Sequence, residues 1–435
     1  MTGRHGISSS RSRAFPRPVR ATVGRAVALL VGASLAVGCG VVPGVTGGDG
    51  DDGTITVMTW APQDTDATNK PGMPALALAY ARWINSRGGL NGRELRVLNC
   101  NERNDSVAAA KCAERAVDEG AVAVVGSYSQ HADSFFPTLE SAGIPYIGGY
   151  GLTAAEFTSP LSYPVNGGQP SLLAGLGREL ADKCGPVSLV RPDSIAGDEL
   201  APVLNSGLSA GGHAEVRDVL AAEDATEYAA PSQRALEHAS ADPARPGCVV
   251  PALGDRTSTF MDSFRRRGED SGVRTATVLG SVDQTVINAS GGKSGPYEGA
   301  YITGWYPVAS DKRWDGMKKV INTHAFGDNR IDPADAGVQT TWIACTVLRA
   351  AIESIGDGEV TARSVRRALD NGLSIDTGGL TPELSWDYSE TFAAVGLPQL
   401  VNAEVTLQVV RGGRLVSART GFVDVTKTLQ RAELR

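Results

Sequence analysis

Hydrophobic positions along this chain follow two alternating periods, clearest over residues 85–153: INSRGGLNGRELRVLNCNERNDSVAAAKCAERAVDEGAVAVVGSYSQHADSFFPTLESAGIPYIGGYGLT. Strand-like runs at 94–98, 122–126 and 145–148 alternate with helical patterns at 106–119 and 132–142, and each strand-like run ends in small or polar residues. This alternation predicts βα units around a parallel sheet. In such sheets ligands bind at the loops following the strands.

The same reading extends in both directions. TITVMT at 54–59 predicts a first strand. A polar loop follows, with Pro62 and Pro71 as breakers, then a helix over 73–86 with Leu76, Tyr80, Trp83 and Ile84 on one side. Gly88-Gly89 stops that helix and Asn91-Gly92 turns the chain into the next strand. Residues 162–168 read as a crossing segment. Beyond it the pattern repeats, with helices at 171–183, 199–210, 232–239 and 257–267 and strands at 187–190, 213–219, 248–253 and 275–279. Two similar lobes in tandem are expected. A strand at 300–303 leads into Gly304-Trp305-Tyr306-Pro307, and helices are expected at 312–323, 335–355 and 361–371, the last capped by Thr361. Strand patterns return at 384–386, 403–410 and 414–418, with Gly412-Gly413 as a hairpin turn, so the chain revisits an earlier lobe.

With 435 residues, 42% of them hydrophobic, the chain has enough apolar material for two or three domains. The N-terminus stands apart. Six arginines, at 4, 11, 13, 17, 20 and 25, precede the first acidic residue, Asp49, and an apolar or small run over 26–38 ends at Cys39. This is the layout of a secretory signal, and the run is short for a membrane span. Removing the six arginines takes the net charge from −7 to −13, which argues against nucleic acid as a partner.

Ala36-Val37-Gly38-Cys39 resembles the lipobox of bacterial lipoproteins, although the usual Leu three places before the cysteine is Ala36 here. The resemblance implies a leader over 1–38, a lipid on Cys39 and a tether over 39–53; export with a coincidental cysteine is the competing reading. Membrane association is then through the Cys39 lipid alone, on the extracytoplasmic face of the cell membrane. Five cysteines remain. Outside the cytoplasm disulfides persist, and the expected pairs are Cys100 with Cys112 and Cys184 with Cys248, although sequence does not fix connectivity. Cys345, in an apolar helical pattern, reads as a buried free thiol. Metal-ligand spacing is absent, and neither metal nor cofactor is expected.

Catalytic motifs are equally sparse. G-x-S-x-G, H-E-x-x-H and G-x-x-x-x-G-K-[ST] do not occur. Gly291-Gly292-Lys293-Ser294 ends like a phosphate loop but has Ile287 where the first glycine is needed, and no G-x-G-x-x-G follows the first strand. A hydrolase built on Ser129, His131 and Asp133 is a remote alternative, since residues two apart rarely meet productively. Binding is the better reading. Ser127, Tyr128, Ser129 and Gln130 follow one strand, where backbone N–H groups and hydroxyls suit an anionic group. Gly149, Tyr150, Gly151, Leu152 and Thr153 follow the next, where glycines permit close approach and Tyr150 offers a ring and a hydroxyl.

INSRGGLNGRELRVL, AAAKCAERAVDEGAVAVVGSYS and AGIPYIG together resemble the first lobe of type 1 periplasmic binding proteins, in particular the leucine/isoleucine/valine-binding-protein-like group. Residues 337–351 are similar to that family's late first-lobe helix, and 379–387 (GLTPELSWD) to its closing segment. The resemblance implies an α/β fold of two Rossmann-like lobes with parallel sheets joined by a three-segment hinge. It places 54–166 with 307–378 in one lobe and 167–306 with 379–435 in the other. It further implies a monomer without enzymatic activity that captures a small polar solute, an amino acid or related compound, and delivers it to the permease subunits of an ABC importer. A sensor of the same fold signalling to a membrane partner is the alternative.

Matching the family's ligand loops gives Tyr128, Ser129 and Gln130 in the first and Tyr150, Gly151, Leu152 and Thr153 in the second. Gln130 stands where a Ser is usual, and Tyr150 and Leu152 where a small residue and a Thr are usual. Asp193-Ser194-Ile195-Ala196-Gly197 lacks the aromatic of the second lobe's D-x-x-Y-G pattern. Asp283 best matches the acid that meets a ligand ammonium, and Trp60 and Trp305 join the tyrosines as candidate aromatic walls. These departures imply a pocket of altered size and hydrogen-bond code, where one buried polar mismatch costs about 1–3 kcal/mol.

Overall fold

The computed structural model describes residues 53–432, apart from 67, 223–224, 269–270, 279 and 388–395. The leader, Cys39 and the tether up to residue 52 lie outside the described residues.

Chain order begins β1 (Thr54–Trp60), α1 (Gly72–Asn85), β2 (Glu94–Cys100), α2 (Ser106–Asp118), β3 (Val124–Val125), α3 (Ala132–Ala142), β4 (Tyr146–Ile147), α4 (Ala155–Thr158) and β5 (Ser162–Tyr163). Six of the seven β1 residues are buried in unbroken sequence, as expected of a strand covered by helices on both faces. The five strands pair in the order β2-β1-β3-β4-β5, all parallel.

The chain continues through α5 (Gly168–Lys183), β6 (Val187–Pro192), α6 (Ile195–Asp198), α7 (Leu200–Ala210), β7 (Arg217–Ala221), α8 (Ala229–Ala239), β8 (Cys248–Pro251), α9 (Thr257–Gly268), β9 (Arg274–Val278), α10 (Gln284–Ala289) and β10 (Tyr301–Gly304). These strands pair in parallel as β7-β6-β8-β9-β10, the strand order of the first sheet over again. Then come α11 (Asp315–His324), α12 (Ala336–Ile355), α13 (Ala362–Asp370), β11 (Glu404–Arg411), β12 (Arg414–Ser417), β13 (Val423–Asp424) and α14 (Thr426–Leu429). β11 and β12 extend the second sheet antiparallel beside β10, turning at Gly412-Gly413, and β13 pairs with β11. The fold is therefore two α/β lobes, the second with a mixed sheet.

In each sheet the strand order reverses beside the first strand of the lobe, between β1 and β3 and between β6 and β8. Such switch points open a crevice at the carboxyl ends of the strands. The crossings between lobes lie side by side. Asn166 donates its amide to the Tyr306 hydroxyl at 3.0 Å, Tyr306 meets the Thr340 hydroxyl at 2.9 Å, and Asn402 donates to the Val165 carbonyl at 3.2 Å.

Several local expectations are met. Disulfides join Cys100 to Cys112 and Cys184 to Cys248. Cys345 is a buried free thiol on α12, its pKa pushed up to about 12 by burial. Thr361 and Ser364 form a reciprocal capping box at the start of α13. Other stretches differ. The strand expected at 213–219 starts only at Arg217, because both ring nitrogens of His213 engage backbone carbonyls, of Gly185 and Ala214, in the turn before it. Residues 384–386 contribute one bridge, Leu384 to Ile375, and no strand. Trp386 packs edge-on against Tyr163 of β5, and the Gln399 N–H donates to the Phe157 carbonyl of α4. These contacts lay Trp386 and Gln399, expected in the second lobe, against elements of the first.

Candidate functional site

The loop after β3 was expected to offer backbone N–H groups and hydroxyls to an anionic group, and the loop after β4 close backbone approach with the Tyr150 ring and hydroxyl. Several of their N–H groups donate within the protein. After β3, the Tyr128 N–H donates to the Trp60 carbonyl at 3.0 Å, and Ser127 Oγ accepts from the Trp60 N–H at 3.1 Å. Ser129 is buried; its hydroxyl donates to Glu102 at 3.0 Å and accepts from the His131 backbone N–H at 3.0 Å. Ser129 thus links the Glu102 carboxylate to the start of α3. Gly126 is held at φ 58° beneath α12, where an added Cβ would lie 2.8 Å from the Thr341 backbone. Close passage of α12 therefore demands this glycine.

The loop after β4 closes around Glu156 of α4, which is 1% exposed. Gly151 N–H donates to one carboxylate oxygen at 3.1 Å; Leu152 N–H, Thr153 N–H and the Thr153 hydroxyl donate to the other at 2.8, 3.0 and 3.3 Å. The anion-binding geometry read from the sequence for the loop after β3 occurs here, after β4, and the chain's own carboxylate fills it. Burial raises the Glu156 pKa above the ordinary value, with those donors opposing the shift.

The remaining wall comes from the loop after β1. Lys70 Nζ lies 2.8 Å from Asp335 Oδ2, and 5.5 Å from the centre of the Tyr150 ring. Asp335 is the N-cap of α12 and accepts the Val338 N–H at 3.0 Å. Burial opposes charge on both partners. The Tyr150 and Asp335 neighbours nevertheless hold the Lys70 pKa above its ordinary value, and Lys70 holds that of Asp335 below. Burial raises the Tyr150 pKa.

These groups meet across a cavity of about 110 Å³ between the lobes. The first lobe supplies Thr68, Lys70, Tyr128, Tyr150 and Leu152; the second supplies Ala252, Gly254, Val278, Gly280 and Ser281; Gln169, Leu172 and Trp305 line it at the crossings. Tyr150 stands edge-on to Tyr128 and to Trp305, at 5.0 and 5.2 Å between ring centres, and the Trp305 indole donates to the Gly168 carbonyl at 2.9 Å. Opposite, Gly280 at φ 99° comes so near the Tyr150 hydroxyl that an added Cβ would lie 2.5 Å from it. A hydrogen bond from the Thr285 hydroxyl of α10 to Asp332 also spans the two sides. A roomier groove of about 520 Å³ is lined by residues 140–143 and by α13, including Arg363, Arg366 and Arg367. No strand-end loop reaches it.

Tyr128, Tyr150, Leu152 and Trp305 thus share one cavity, and the other candidates do not line it. Trp60 packs fully buried among Phe135 and Tyr146, under α3, because alternate residues of β1 face opposite sides of the sheet. Gln130 is exposed and reaches the Tyr128 hydroxyl at 3.2 Å. Gly151 and Thr153 serve Glu156. Asp283 caps α10 by accepting the Val286 N–H at 2.9 Å, and burial raises its pKa. Lys70 was missed. Its signal was its place in the loop after the first strand, which topology puts at the switch point. Among the described residues no group of His, Cys, Asp and Glu side chains is arranged to hold a metal ion, and no helix is long and apolar enough to cross a membrane.

A two-lobed α/β body with a cavity at facing strand ends defines a protein that encloses a ligand. The sequence matches the periplasmic binding protein family over residues 64–391, and the chain belongs to that family. No curated protein matches it. Its fold is similar to that of an extracellular ligand-binding receptor from Verminephrobacter eiseniae, with TM-score 0.68 and 15% identity, covering 83% of this chain and 99% of that one. It is also similar to a solute-binding protein of an ABC transporter from Rhodopseudomonas palustris HaA2, in complex with p-hydroxybenzoic acid, with TM-score 0.69, 15% identity and coverage of 87% and 100%. A third is the leucine binding protein LivK from Thermotoga maritima, with TM-score 0.63, 15% identity and coverage of 85% and 99%. The architecture is that of the type 1 periplasmic binding proteins.

Proposed function

We propose that this chain is the solute-binding component of an ABC importer, exported, held at the outer face of the cell membrane by a lipid on Cys39, and working as a monomer without catalysis. The observation that carries this reading is the cavity lined from both lobes at the carboxyl ends of their strands, with Gly280 against Tyr150 and Thr285 against Asp332. A solute bound there touches both lobes and favours the closed arrangement over an open one by its difference in affinity for the two. The volume, about 110 Å³, suits a small solute and falls below the usual range for drug-sized ligands.

Contacts of 379–387 and 396–400 with α4 and β5 favour a third crossing near Asn402, which assigns 54–166 and 307–400 to one lobe and 167–306 and 402–432 to the other. Ser129 accepts the His131 N–H and Glu156 accepts the N–H groups of Gly151, Leu152 and Thr153, so both hold the loops in place. Thermal melting of the mature chain in the presence of amino acids, amides, small carboxylates and ureas tests the proposal. A concentration-dependent rise with one class is expected. No rise with any of them would overturn it.

A further inference from the structure

We infer that the cleft selects a small planar acid, held through its oxyanion by Lys70, over a zwitterionic amino acid; this rests on the solute-binding reading above. Charge is the first ground. Of the thirteen described residues lining the cavity, Lys70 alone is charged. An ammonium offers three donors, and one goes to Asp335 at 2.8 Å. Asp335 is itself stabilised by the Val338 N–H and the start of the 20-residue α12, whose N-terminus favours negative charge. The pair is therefore not electrically closed, and Lys70 keeps positive field and donors on its cavity side.

The second ground is what the other corners withhold. A carboxylate entering at 151–153 finds the backbone donors already turned to Glu156. An α-ammonium finds no acid among the described lining residues: Asp283 caps α10, Asp335 faces Lys70, and Glu156 is turned into the loop. A zwitterion would bury an unmatched cation, which is costly. Shape is the third ground. Tyr128, Tyr150 and Trp305, set edge to face, and Leu152, Leu172 and Val278 line a space of about 110 Å³ with ring and aliphatic surface, which suits an acid with a compact planar body.

Titration calorimetry of the mature chain with benzoate, benzamide, leucine and phenylalanine tests this. Benzoate should bind, and benzamide, the same shape without charge, should bind on the order of 30-fold more weakly; the amino acids should give no heat. Lys70→Met with Asp335→Asn removes both charges together and should abolish the preference for benzoate over benzamide while the melting temperature stays near that of the parent. Benzamide binding as tightly as benzoate, or leucine binding without benzoate, would overturn the inference and leave the solute-binding reading standing. Silence here combined with silence across the broader melting panel would overturn both.

Discussion

Two corners of the cleft each bury a carboxylate and treat it in opposite ways. At the corner after β4, Glu156 is matched only by neutral donors, three N–H groups and a hydroxyl, and its pKa is raised by burial. At the corner after β1, Asp335 is matched by Lys70 and the start of α12, and its pKa is lowered by Lys70 against the pull of burial. The first corner spends its charge on holding the loop that carries Tyr150 and Leu152. The second leaves a cation facing the cavity. A buried carboxylate therefore holds scaffold in one place and a cavity-lining cation in the other, decided by what satisfies it.

Breaking the second corner should have the largest effect. Lys70→Met strands Asp335 as a buried charge, and loss of about 3–5 kcal/mol is expected by denaturant unfolding, the helix N-terminus softening it toward the lower figure. Adding Asp335→Asn should restore most of that loss. At the first corner, Glu156→Gln turns an amide NH₂ toward N–H donors. It should cost about 2–3 kcal/mol and loosen residues 151–153, read as faster amide hydrogen exchange confined to that loop.

Acid titration separates the corners by sign. Glu156 has a folded pKa above its unfolded value of 4.5, so the native state takes up a proton first, and its contribution to stability rises as pH falls through the folded pKa. Asp335 has a folded pKa below its unfolded value of 3.8; its contribution is complete above that value and is lost as pH falls through the folded pKa. Subtracting the melting profile of Glu156→Gln from that of the parent removes the groups they share. The difference should grow in favour of the parent on acidification from neutrality, and level off below about 4. A difference that shrinks instead would contradict the assignment. The smallest effect belongs to the opposing lobe. Gly280→Ala meets Tyr150 and a left-handed backbone, costing about 1–2 kcal/mol and weakening solute binding about tenfold by obstructing closure.

The scaffold was readable from sequence because its causes are local. The unbroken apolar run of β1, the Thr361 cap and the cysteines placed at Cys184 and Cys248 each act within a few residues of an element's end. Tyr128, Tyr150, Leu152 and Trp305 were readable for the same reason, since strand ends mark the cleft. Lys70 was not: it lies ten residues past the end of β1, and its partner is 265 residues away. Glu156 was hidden differently. A turn of N–H groups looks the same in sequence whether a ligand or the chain's own carboxylate fills it. Trp60 lies off the cavity because its side of the sheet is fixed by the packing of α3, and Asp283 caps α10, as an acid at a strand end serves a helix cap as readily as a ligand.

The most direct test of Lys70 as the recognition group is a crystal structure of the mature chain grown with benzoate. The carboxylate should lie within about 3 Å of Lys70 Nζ, with the ring against the Tyr150 and Trp305 side of the cavity and Glu156 still holding residues 151–153. A carboxylate seated on the N–H groups of 151–153, with Glu156 displaced and Lys70 untouched, would contradict the account.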